Sequence, residues 1–109
     1  MAGRVVHLRK DPFDERIDRE TVWGNLFVVG RDGFRGECVD KFENWVRTGT
    51  DHRASWIRDN VHTLDGKTLG CWCAPRGGIG VDDLRICHGQ VLLKLAAESI
   101  DNEVRDHVR

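Results

Sequence analysis

Apolar positions recur along the chain in two rhythms. Alternation marks residues 4–9, Arg-Val-Val-His-Leu-Arg. On an extended segment Val5, His7 and Arg9 fall on one face, and Val6 and Leu8 on the other. Asp11-Pro12 ends this first strand, because proline has no N–H to give a ladder. Residues 11–22 are charged and aperiodic, which predicts an irregular connection or a single turn. The apolar run Val22-Trp23-Gly24-Asn25-Leu26-Phe27-Val28-Val29-Gly30 offers a third strand. Its Gly24-Asn25 is either a tight turn or a close approach of backbone to a ligand.

Helical spacing takes over at Glu37–Arg47. Cys38, Phe42 and Trp45 stand at i, i+4 and i+7, flanked by Val39 and Val46. Thr48-Gly49 ends this helix. Thr50 or Asp51 caps a second one over residues 52–62, with Ala54, Ile57 and Val61 inward. The turn Asp65-Gly66-Lys67 leads into a strand over Thr68–Cys73. Residues 76–85 form a loop holding Gly77, Gly78 and Gly80. A third helix starts at His88 and runs to Ser99, burying Val91, Leu92, Leu95 and Ala96. Residues 101–109 either continue it or fray. These elements predict a small single-domain α/β fold, a short and mostly parallel sheet flanked by about three helices.

Composition narrows the function classes. The 109 residues are 39% hydrophobic and 32% charged, the balance of one globular domain. A net charge of -1 lacks the basic footprint of a general nucleic-acid binder. No apolar run approaches the roughly 18 residues a membrane helix needs. The N-terminal stretch does not read as a signal peptide, so a cytoplasmic setting with reduced thiols is expected. A disulfide framework is then not expected despite four cysteines. Cys71 and Cys73 would in any case make a strained i, i+2 pair on a strand.

The chemistry gathers in Leu69-Gly70-Cys71-Trp72-Cys73-Ala74-Pro75 and in Cys87-His88-Gly89. These two pieces hold three of the four cysteines and one of the five histidines. The end of the strand and the start of the helix are expected to face each other across one small site. One reading is a metal: Cys71, Cys73, Cys87 and His88 supply the thiolates and imidazole that zinc prefers. The spacing is not that of a zinc finger, and the bland alternative is that Cys71 and Cys87 are small buried hydrophobes.

A second reading is a pocket for a small anionic ligand, a nucleotide or sugar phosphate. His7 and Arg9 end the first strand, where α/β sheets bind ligands. The helix start at His88-Gly89 offers free N–H groups to an anion. Arg19 would pair with a phosphate, Trp23 would stack on a base, and Asn25 would read its edge. Taken singly, Trp23 reads as core, Asn25 as a turn residue and Arg19 as surface. Catalysis would use Cys73 or Cys87 as a thiolate near His88 or His7, with Cys73 and His88 the leading pair, or His88 as an acid/base beside phosphate. The glycine loop lacks the Lys-Ser/Thr of a phosphate loop and reads as a connection or lid. Cys38 reads as core.

Several of these pieces together resemble a family of phages and prokaryotes catalogued as a domain of unknown function, DUF4326-like. The residues that carry the resemblance are Val5-Val6-His7-Leu8-Arg9, Ile17-Asp18-Arg19, Trp23-Gly24-Asn25-Leu26-Phe27, the block Leu64 to Pro75, and Cys87-His88-Gly89. Asp18 and Leu26 depart from the family pattern, which has Gly and Pro there. The similarity runs to about Ala97 and implies no particular activity. Two functions stay open at this point. One is a ligand pocket built from His7, Arg9, Arg19, Trp23, Asn25, Cys73, His88 and Gly89. The other is a zinc-stapled structural or partner-binding module, such as a host-directed phage inhibitor.

Overall fold

The computed structural model describes residues 3–108, with side chains described through residue 100. Strand β1 (Arg4–His7) pairs in parallel with β3 (Thr68–Cys71), setting Val5 opposite Leu69 and His7 opposite Cys71. On the other side of β3 runs β2 (Glu15–Arg16), also parallel, with Arg16 opposite Gly70. The central strand is therefore the one that leads into the cysteines.

The third strand comes from the charged stretch, not from the apolar run at 22–30. A ladder needs only free backbone groups. Here Asp14 N–H donates to the Thr68 carbonyl at 2.7 Å and Ile17 N–H to that of Gly70 at 3.0 Å. Ile17 then inserts into the core, fully buried. The 22–30 run has no such opportunity, because arginines occupy its carbonyls. Arg53 donates to those of Val22 and Gly24, Arg19 to those of Asn25 and Phe27, and Arg31 to that of Leu26. The close backbone approach expected at Gly24 is made to the chain itself. A Cβ there would lie 2.6 Å from the Arg19 Cα.

Helix α1 (Arg35–Thr48) buries Cys38, Val39, Phe42 and Val46. Glu37 reaches back to accept the Phe34 N–H at 2.9 Å, satisfying a donor at its start. Of the two cap candidates for α2 (His52–Asn60), Asp51 does the work, accepting the Ala54 N–H at 3.3 Å. A 3-10 turn over Val61–Leu64 carries the chain into β3. Helix α3 (His88–Val108) starts where expected and continues beyond Ser99. Its Val91, Leu92 and Ala96 are fully buried, as are Val5, Leu69, Phe42 and Ile57. The fold is a small α/β domain with three helices about a short parallel sheet. Among the described residues, no helix is long and apolar enough to cross a membrane.

β1 ends at His7 rather than Arg9, because the N–H groups of Lys10 and Asp11 both turn back to the His7 carbonyl. β3 likewise stops at Cys71, so Cys73 lies in the turn beyond it and not on the strand face with Cys71. The loop before α3 lies along the free edge of β1, where Val5 and Ile79 exchange both backbone hydrogen bonds.

Candidate functional site

Cys71 at the end of β3 and Cys87-His88 at the start of α3 meet in the core. The donor atoms of Cys71, Cys87 and His88 all lie within 4.8 Å of one another, and all three residues are buried. Cys87 stands just before the first helical residue and acts as a cap. Its Sγ accepts the Gly89 N–H at 3.4 Å. Gln90 returns the favour, its Oε1 accepting the N–H groups of Cys87 at 3.1 Å and of Ile86 at 2.8 Å. This is a reciprocal cap like a capping box, with a thiol in the serine position that accepts from the second helical N–H rather than the third. The Gln90 amide nitrogen donates to the carbonyls of Gly80, Asp83 and Leu84, so one buried glutamine ties the glycine loop to the helix start.

His88 fixes its own tautomer. Nε2 lies 2.8 Å from the Ile17 carbonyl, which can only accept, so Nε2 carries the proton. The lone pair is left on Nδ1, which is 3.8 Å from the Cys87 Sγ. Burial lowers the pKa of this imidazole and keeps it neutral. Phe42 packs edge-on against the ring at 5.1 Å.

The third thiol of this group, Cys73, is exposed. Hydrogen bonding with Cys71 and then Cys87 draws its pKa far below the usual thiol range. The same interaction with Cys73 pushes Cys71 up to about 11, and Cys71 and Cys73 push Cys87 well up. A thiolate on one of these sulfurs is thus stabilised by the other two, and a second is opposed by the first.

Beside this cluster opens a cavity of about 280 Å³. Its walls include Cys71, Cys73 and His88, the charged side chains Asp18, Arg19 and Arg35, and the rings of Phe27 and Trp72.

A family model described as "Domain of unknown function (DUF4326)" matches residues 4–98. The chain belongs to that family. Neither the curated proteins nor the solved structures include a match to it.

In this DUF4326 chain the residues expected from sequence divide into two groups. Arg19, Asn25, Cys71, Cys73 and His88 line the cavity. Arg19 spends two N–H groups on the carbonyls of Asn25 and Phe27, at 2.9 and 3.0 Å. Asn25 donates to the Cys38 carbonyl and accepts the Phe27 N–H, so its amide braces the wall. Cys38 is buried, as expected of core, and also touches the cavity.

His7, Arg9, Trp23 and Gly89 are not among the cavity's lining residues. Trp23 is buried and packs on Trp56 with ring centroids 5.0 Å apart, because its run folds inward under α2. His7 and Arg9 instead pack on Trp72, the first edge-on at 5.5 Å and the second with its guanidinium 4.9 Å from the ring centre. Gly89 offers no free N–H, since that donor goes to Cys87. It is a packing position, where a Cβ would lie 2.7 Å from Ile17 and 2.8 Å from Val5. Of the two sulfurs expected for a thiol–imidazole pair, that of Cys87 contacts the His88 ring.

Sequence reading missed Trp72, Arg35, Asp18 and Gln90. Trp72 sits between the two cysteines of Cys-x-Cys, and that position was the available signal. Arg35 gave none, because a charged residue in the first turn of a helix is ordinary.

Proposed function

We propose that this domain is a metal-centred binding module. In this reading Cys71, Cys87 and His88 hold a zinc-class ion, and Cys73 completes the set from the cavity side. The cavity beside it receives a small anionic molecule. The observation that carries the metal is the convergence of three buried soft donors from two distant segments within 4.8 Å. Thiolate and imidazole are the donors zinc selects, and four of them suit its tetrahedral preference. The Nε2–H bond from His88 to the Ile17 carbonyl supports it further. Metal-bound histidines almost always tie their second nitrogen this way, which orients the ligand nitrogen and raises its basicity.

The anionic ligand has its own support. Arg19 and Arg35 stand on the cavity wall with Phe27 and Trp72. A cavity lined by rings with a few convergent charges is the usual form of a small-molecule site.

Elemental analysis of protein purified without added metal tests the centre. The expected result is one zinc per chain, lost in Cys71→Ser and Cys87→Ser. A folded chain that carries no metal, and takes up none when zinc is added back, would overturn the metal reading. The cavity reading would then stand or fall on ligand titration alone.

A further inference from the structure

We infer that the cavity takes a mononucleotide-sized ligand, its anionic group received by Arg35 and its flat ring laid against Trp72. This rests on the cavity reading given above and adds the ligand class and the residues that select it.

Charge accounting singles out Arg35. Asp18 and Glu20 on the wall are both met by Arg16, at 2.7 and 3.1 Å. Arg19 is committed to two loop carbonyls, which hold the side chain but do not cancel its charge. Arg35 lines the cavity, is exposed, and makes no hydrogen bond or ion pair among the described residues, although its charge is one of those that favour the thiolate of Cys73 on the same wall. Its five donors are therefore free for the forked pairing that arginine makes with phosphate or carboxylate. The Arg19 charge adds to the field that an entering anion meets.

Trp72 is an exposed ring that is nonetheless held in place. Its relative exposure is 45%. The indole N–H donates to Asp18 at 2.9 Å, and Asp18 is itself fixed by two hydrogen bonds from Arg16. His7 meets the ring edge-on, and Arg9 places its charge over it. A large apolar ring left partly in water gains nothing from three separate restraints unless its position matters, and a preformed platform lowers the ordering cost of binding. Every base presents a flat face that can stack on such a ring. At about 280 Å³ the cavity lies just below the usual 300–1,000 Å³ of small-molecule sites, a size that suits one nucleotide.

The test is calorimetric titration of the full chain with AMP, adenosine and inorganic phosphate, with zinc content measured on the same sample. AMP is expected to bind at least tenfold tighter than either fragment. Arg35→Ala is expected to weaken AMP tenfold or more while leaving adenosine and the melting temperature unchanged. Trp72→Leu is expected to weaken AMP and adenosine together and leave phosphate alone. The inference is overturned if no AMP binding is detected in a chain with an unaltered melting temperature, or if Arg35→Ala leaves AMP affinity intact. Zinc-loaded protein that ignores AMP sinks this inference and spares the metal centre. Zinc-free protein that binds AMP with the expected Arg35 dependence does the reverse.

Discussion

Gly89 shows how much one hydrogen atom in place of a methyl group decides. It lies in the first turn of α3, where alanine would favour the helix by up to about 1 kcal/mol. A Cβ at this position would stand within 2.8 Å of both Ile17 and Val5, which are fully buried. Overpacking a core of this kind costs roughly 1–3 kcal/mol, so the clash outweighs the propensity. Gly89→Ala is therefore expected to lower the urea midpoint with no change in slope. An unchanged midpoint would mean that the wall formed by Ile17 and Val5 can yield. Gln90 acts at the same scale. Its carboxamide reaches backbone groups of five residues, and truncating it would leave the buried Cys87 N–H without this partner, at a cost of about 1–3 kcal/mol.

Among elements, the decisive joint is that of α1 to α3 and to the loop before Cys87. Glu43 on α1 accepts from Arg47 at 2.8 Å, from Arg85 at 2.5 Å and from Lys94 of α3 at 3.3 Å, with its side chain only 15% exposed. Arg47 also grips Glu98 of α3 at 2.9 Å. Burial alone would raise the Glu43 pKa, but the hydrogen bonds from Arg85, Arg47 and Lys94 outweigh it and lower the value from 4.5 to about 2. A carboxylate whose folded pKa is depressed contributes stability that is complete above the unfolded value and fades as pH falls towards the folded one. The window is therefore pH 4.5 down to about 2. Allowing for screening, the contribution is on the order of 2 kcal/mol. Glu43→Gln is expected to be less stable than the parent at pH 7, with the gap closing as acid is added. A gap independent of pH would remove the charge from the explanation.

At the scale of the whole molecule, the candidate centre joins pieces that are far apart in the chain. Ile17 lends its carbonyl, β3 ends in Cys71, and α3 begins with Cys87 and His88. An ion held there would close the loop between Cys71 and Cys87 and stabilise only the folded state. Chelation is expected to lower the melting temperature of the parent by roughly 5–15 °C, since 1 kcal/mol moves a domain of this size by about 4–8 °C. In Cys71→Ser, already short of a ligand, chelation is expected to add little. A parent whose melting is insensitive to chelator while zinc is still bound would deny the centre a role in stability.

The sequence by itself determined the elements whose signal is local. The stripe through Cys38, Phe42 and Trp45, flanked by Val39 and Val46, gave α1, Thr50-Asp51 gave the start of α2, and Cys87-His88-Gly89 marked the start of α3. It also placed Cys71 and His88 at one site, because a strand end and a helix start in a small parallel fold have few other places to meet. Tertiary structure alone decided the rest. Two residues of β2 carry no periodicity, and they pair because the open edge of β3 supplies the partners. Trp23 and Trp72 are alike as letters in the chain, each beside a turn. Only packing sends the first beneath α2 and leaves the second on the cavity wall. Charge pairing is equally non-local: which arginine stays free depends on where Arg16, Asp18 and Glu20 meet in space. Local rhythm fixes how a segment folds, and the contacts between segments fix which side chains remain available for chemistry.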